Sequence, residues 1–284
     1  MKKSFVYFLL SAPLWALSFT GCTDTISVDV AGGTTQLSVD GELTDQPGPY
    51  TIRLAETVYA FGSATPPPVT NATVTLTDDT GAGETLRETT PGVYQTQTLR
   101  GQVGRSYTLR IETARFGAYT AQTQLRRPTP IDSVYSEQRA LAPGQPSDGY
   151  IVRYDYTDPP GVGDNFRARL YRTRGDGPTT LMNRPLDLQF VQDIFNDGKR
   201  ITNVIAGPVS FEAGDRVTLE LASITDDGFQ FLRELQAQTN NGGLFANPPA
   251  NVRTNIVPVA GNAQRAVGYF FGSALTRKTI VIRP

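Results

Sequence analysis

Carboxylates give this chain its widest choice of chemistry, and one group of them is closely spaced. Asp155, Asp158 and Asp164 bracket the turn Pro159-Pro160-Gly161. Spaced carboxylates on a loop could hold calcium, whose shell takes about six to eight oxygens. The EF-hand spacing is absent, and a polar turn between two strands accounts for the same residues. The expectation is therefore no bound metal and no other cofactor, with these three as the candidate ligands should a cation bind. A second group lies at Leu244–Val252, where Phe245, Asn247, Pro248, Pro249 and Asn251 follow a helical stretch. Aromatic and proline rings make rigid apolar walls and asparagine fixes a polar group, so this is a candidate ligand loop. The competing reading buries Phe245 and lets the proline pair lock a crossover. Histidine is absent, which removes Ser-His-Asp and Cys-His arrangements, imidazole bases and His-ligated zinc. Carboxylate pairs remain, but their separation is a spatial quantity that a sequence does not give. No catalytic residue is assigned.

The lone cysteine has a different chemistry. Lys2 and Lys3 precede an apolar run from Phe5 to Leu17, and Phe19-Thr20-Gly21-Cys22 closes it. This is the layout of a secretory signal peptide over residues 1–21. With Cys22 directly after a small residue it resembles a bacterial lipobox, in which the thiol is lipidated and becomes the new N-terminus. The run is too short for a membrane-spanning helix, which needs about 20 apolar residues. An ordinary secreted chain would instead carry an unpaired thiol into an oxidising compartment. The expected address is the outer membrane, through the lipid, with either face possible. Residues 22–35, with Gly32-Gly33, read as a tether.

Loss of Lys2 and Lys3 leaves 24 of the 26 basic residues against 27 acidic ones. A faintly acidic chain lacks the concentrated basic face that nucleic acid requires. Arginine outnumbers lysine by 22 to 2 in that mature chain. Guanidinium forks suit carboxylate, phosphate and aromatic partners, but genomic base composition is the preferred explanation of the ratio.

These groups must be positioned by β-structure. From Gln36 onward alternation of period two dominates, in Leu37–Gly41, Tyr50–Leu54, Val74–Leu76, Tyr107–Ile111 and Tyr119–Thr123, separated by Gly, Pro and Asp turns. About seven short strands predict an immunoglobulin-like sandwich over 36–127, with Phe61–Pro68 as its longest loop. After a hinge at Arg126–Pro130, a second β-rich, sandwich-like domain is expected over 131–284, ending in a strand at Ala266–Ile282. One helix is predicted at about 226–239, capped by Thr225, with Gly228, Phe231, Leu232 and Leu235 on one stripe. Tyr269-Phe270-Phe271 falls in a strand, with at least one face in the core.

The stretches Leu37–Asp45, Pro130–Val134, Asp158–Gly161 running into Asn165-Phe166-Arg167, and Gly243–Val252 with Gly268-Tyr269-Phe270 carry a resemblance. In that order they resemble the Bacteroidota lipoprotein family labelled domain of unknown function 4249. The resemblance implies an envelope protein encoded beside TonB-dependent outer-membrane receptors, with no catalytic residues to carry over. The function expected is thus a lipid-anchored, non-enzymatic accessory or ligand-capture partner of such a transporter, its small ligand unknown. A structural or adhesive module, or a carboxylate- or metal-dependent hydrolase, are the alternatives.

Overall fold

Alternation in Leu37–Thr44 puts Leu37, Val39, Gly41 and Leu43 on a buried face and leaves Ser38, Asp40, Glu42 and Thr44 on the other. Both faces find a partner, and the second one makes the site. The computed structural model describes residues 34–58, 65–139, 149–182, 189–192, 197–239, 251–261 and 264–284. Its strands, in chain order, are β1 (Leu37–Thr44), β2 (Thr51–Glu56), β3 (Thr73–Asp78), β4 (Gly83–Thr85), β5 (Arg87–Thr90), β6 (Val93–Gln95), β7 (Ser106–Thr113) and β8 (Gly117–Gln124). Then come β9 (Ile131–Gln138), β10 (Tyr150–Thr157), β11 (Phe166–Thr173), β12 (Thr180–Leu181), β13 (Gln189–Val191), β14 (Arg200–Ile205) and β15 (Arg216–Ser223). Helix α1 (Asp226–Thr239), β16 (Ile256–Pro258), β17 (Val267–Ser273) and β18 (Leu275–Val281) complete the chain.

The fold is mainly β, in sandwich-like layers, with a single helix among the described residues. Sheets ordered β17-β1-β2-β6-β5 and β16-β8-β7-β3-β4 enclose the first core, which includes Leu37, Ile52, Tyr94, Tyr107 and Tyr119. Sheets ordered β14-β10-β9 and β12-β11-β15-β18, with β13 beside β11, enclose the second, around Tyr154, Tyr156, Phe166, Leu170, Phe211 and Leu219.

The chain after Ile131 does not stay in the second sandwich. Strand β17 pairs in parallel with β1, and β16 pairs antiparallel with β8, so both complete the first sandwich. The stretch Ala266–Ile282, expected as one strand of the second module, is therefore two strands, divided at the fully buried Ala274. Strand β18 alone joins the second sandwich, beside β15. Residues Thr35–Pro284 consequently form one compact unit. Gly268 permits the β1–β17 approach. Its φ is +97° and a Cβ there would lie 1.9 Å from the Val39 carbonyl oxygen, a position open to glycine alone.

Helix α1 lies where the apolar stripe and cap place it. The Gly228 amide donates to the Thr225 hydroxyl at 3.1 Å. Phe229, Phe231 and Leu232 are buried against Tyr269 and Phe271 of β17. Phe270, between those two rings, points the opposite way into the first core. The three consecutive aromatics thus serve two cores, as alternation requires.

Candidate functional site

The outer face of β1 meets the outer face of β11 in a cleft of about 670 Å3. In β11, Phe166, Ala168 and Leu170 point into the second core, so Arg167, Arg169 and Tyr171 must point away from it. Register then sets the neighbours: Arg169 stands opposite Glu220 of β15, and Glu220 stands opposite Arg277 of β18. The cross-strand triplet is bonded throughout, from Arg169 Nε to Glu220 Oε1 at 2.5 Å and from Arg277 Nε to Glu220 Oε2 at 2.6 Å. The Tyr171 hydroxyl also donates to Glu220, at 3.2 Å. Glu220 has no exposed surface.

Glu42 reaches across from β1 and is clasped by both arginines. Arg167 Nη2 lies 2.7 Å from Oε1, and Arg169 Nη1 lies 2.7 Å from Oε2. The Arg167 guanidinium carbon also sits 4.3 Å from the centre of the Phe271 ring, a cation–π contact. Three guanidiniums therefore share two carboxylates, leaving one positive charge in the cleft. Arg53, Asp40 and Tyr50 lie on the same wall as Glu42.

Burial alone would raise the Glu42 carboxyl. The charges of Arg167 and Arg169 and their hydrogen bonds overcome it and hold the pKa at about 2, below the ordinary 4.5. A depressed carboxylate stabilises the fold fully above its unfolded pKa and loses that contribution as pH falls through the folded one. Glu42 should therefore contribute roughly 3 kcal/mol at neutral pH, lost between about pH 4.5 and 2. Denaturant titrations of the wild type and Glu42→Gln across that range should show the stability gap narrowing with acid. A gap that stays constant would sink this assignment. Burial comes first among the causes that raise the Tyr171 phenol, and the adjoining Glu220 adds to it, so the phenol stays protonated as a donor.

The structure separates the three candidate carboxylate ligands. Asp155 accepts from the Ser133 hydroxyl at 2.9 Å, the Asn203 amide at 2.9 Å and the Tyr135 hydroxyl at 3.2 Å. Asp158 is buried, its amide donating to the Lys199 carbonyl at 2.9 Å. Asp164 is buried against Arg127, whose Nε lies 2.9 and 3.0 Å from its two oxygens. The same guanidinium donates to the carbonyls of Pro159, Pro160 and Gly161, so Arg127 organises this turn. Among the described residues no three metal-ligating side chains converge. Arg127→Ala is expected to cost about 2–3 kcal/mol. That is less than the ~3–5 kcal/mol of a wholly buried pair because Arg127 is 44% exposed. A chelator should leave the unfolding midpoint in place, and a chelator-induced drop would restore the calcium reading.

Of the candidate ligand loop, Phe245, Asn247, Pro248 and Pro249 lie outside the described residues, as does Cys22; Asn251 is exposed. Part of Phe61–Pro68 also lies outside them. The arginine cleft itself was not singled out by the sequence reading, which assigned the arginine excess to base composition. The signal was present in Phe166-Arg167-Ala168-Arg169-Leu170-Tyr171, where charge alternates with core.

The class defined so far is a two-sandwich β protein in which two late strands complete the first sandwich and a guanidinium-lined cleft lies between β1 and β11. Residues 23–279 match the family model described as Domain of unknown function (DUF4249), and the chain belongs to that family. No curated protein matches it significantly.

Proposed function

We propose that this is a lipid-anchored cell-envelope protein that captures a small ligand without transforming it and acts as accessory to a TonB-dependent outer-membrane transporter. The observation that carries the reading is the cleft between β1 and β11. Its volume falls in the range typical of small-molecule sites, and polar groups converge on it from five strands, β1, β2, β11, β15 and β18. Its carboxylate Glu42 is suited to binding and not to proton donation. A general acid needs a raised pKa, whereas Glu42 is held at about 2. The signal-like segment ending in Cys22 supports the anchor, and the family resemblance supports the transporter.

Two experiments test this. Cys22→Ala should move the protein from the membrane to the soluble fraction of the native host. Purification of the lipidated chain from gently solubilised membranes should bring an outer-membrane receptor with it in stoichiometric amount. Recovery as a free monomer would overturn the transporter partnership.

A further inference from the structure

The cleft also indicates what kind of ligand it holds, an argument that rests on the capture reading above. We infer that the recognised part of the ligand is an oxyanion, a carboxylate or a phosphoryl group, seated between Arg167 and Arg277. The first reason is charge. The lining carries Arg53, Arg167, Arg169 and Arg277 against Asp40, Glu42 and Glu220, one positive charge in excess. Asp40 is 76% exposed on the rim, with Arg53 only 3.8 Å away, so it does not neutralise the interior.

The second reason is unused donors. Arg169 is saturated: Nε binds Glu220, and both terminal nitrogens bind Glu42. Arg277 is not. It is half exposed, and among the described residues its contacts are those of Nε with Glu220, which leaves both terminal nitrogens available. Arg167 is tied to Glu42 by Nη2 and to Phe271 by its face, yet its Nε is buried with no hydrogen-bond partner. Buried donors without an acceptor are rare and costly. A planar or tetrahedral oxyanion supplies the acceptors that a guanidinium fork is shaped to meet.

The third reason is the body of the cleft. Tyr171, Leu181 and Leu275 give it an apolar flank, and a second depression of about 250 Å3 adjoins at Tyr171 and Arg277, bounded by Thr179 and Thr218. The ligand is thus a small molecule with an acidic head held at the arginines and a less polar body lying across Tyr171.

The test uses the full mature chain and three probes: citrate, inorganic phosphate, and the neutral sugar trehalose, each at matched ionic strength in chloride. Calorimetric titration should detect citrate or phosphate and not trehalose, and which of the two binds more tightly separates the carboxylate from the phosphoryl source. Arg277→Gln and Arg167→Gln should each weaken that binding about tenfold or more, the size of a lost charged hydrogen bond. Arg277→Lys, which keeps the charge and loses the fork, should still weaken it while preserving the unfolding midpoint. Arg110→Gln, whose partner is the exposed Glu112 on the first sandwich, should leave it unchanged. Binding of neither anion, or equal binding in all three cleft variants, overturns the inference. Loss of the receptor partnership with anion binding intact leaves the oxyanion site standing and removes the transporter reading alone.

Discussion

A fragment comprising residues 34–130 is expected to be unfolded, although it contains eight of the strands of the first sandwich. It lacks β16 and β17, and with them Ile256 and Phe270, which are 1% and 0% exposed in that core. Burying each such side chain is worth about 1.5–3 kcal/mol. Their joint loss is comparable to the lower end of the ~5–15 kcal/mol that holds a domain together. Removal also bares β1 and β8 as open edges. Circular dichroism and amide proton dispersion should show no cooperative transition for the fragment, and a second polypeptide carrying residues 251–284 should restore one. Cooperative melting of the fragment alone would mean that the two sandwiches are independent. Gly268→Ala tests the same seam in the intact chain, because its Cβ would collide with the Val39 backbone. Its midpoint should fall far more than that of an alanine placed at the open turn Gly104.

This seam explains what a sequence can and cannot say about such a chain. Strand β15 follows the alternation of Val217, Leu219 and Leu221 with Thr218 and Glu220. Helix α1 coincides with its cap and stripe, because both signals are local. Partner choice is not local. Alternation in Val267–Ser273 states that two faces are needed but not which strand lies alongside, and that strand is over 200 residues earlier in the chain. The break at Ala274 lies between Ser273 and Leu275, and no proline or Asn-Gly or Asp-Gly turn pair marks it. The cleft was hidden for the same reason. Arg167 and Arg169 are legible as the solvent-side residues of an alternating strand, and Glu42 likewise. Only the fold brings those two outward faces together. Glu220, lying between Leu219 and Leu221, carried the most specific local warning: a carboxylate in a run of buried residues requires a cation.

Glu220→Ala should therefore be the most destabilising single change at the cleft, by about 3–5 kcal/mol, the usual cost of removing one member of a buried ion pair. Glu220 is wholly buried and bonded to Arg169, Arg277 and Tyr171. Its loss leaves the 19%-exposed Arg169 with Glu42 as its one counter-charge. Glutamine should rescue little, because its amide keeps one acceptor and turns two donors toward guanidiniums that only donate. Double-mutant cycles apportion the cost. The Glu220–Arg169 coupling should be about 2 kcal/mol or more, whereas Glu220–Arg277 should be under about 1 kcal/mol because Arg277 is 51% exposed. Equal couplings would show that Arg277 is a structural partner held in place by Glu220. The unequal result means that Arg169 ties the sandwiches together while Arg277 is aimed by Glu220 and left with its terminal nitrogens for a ligand.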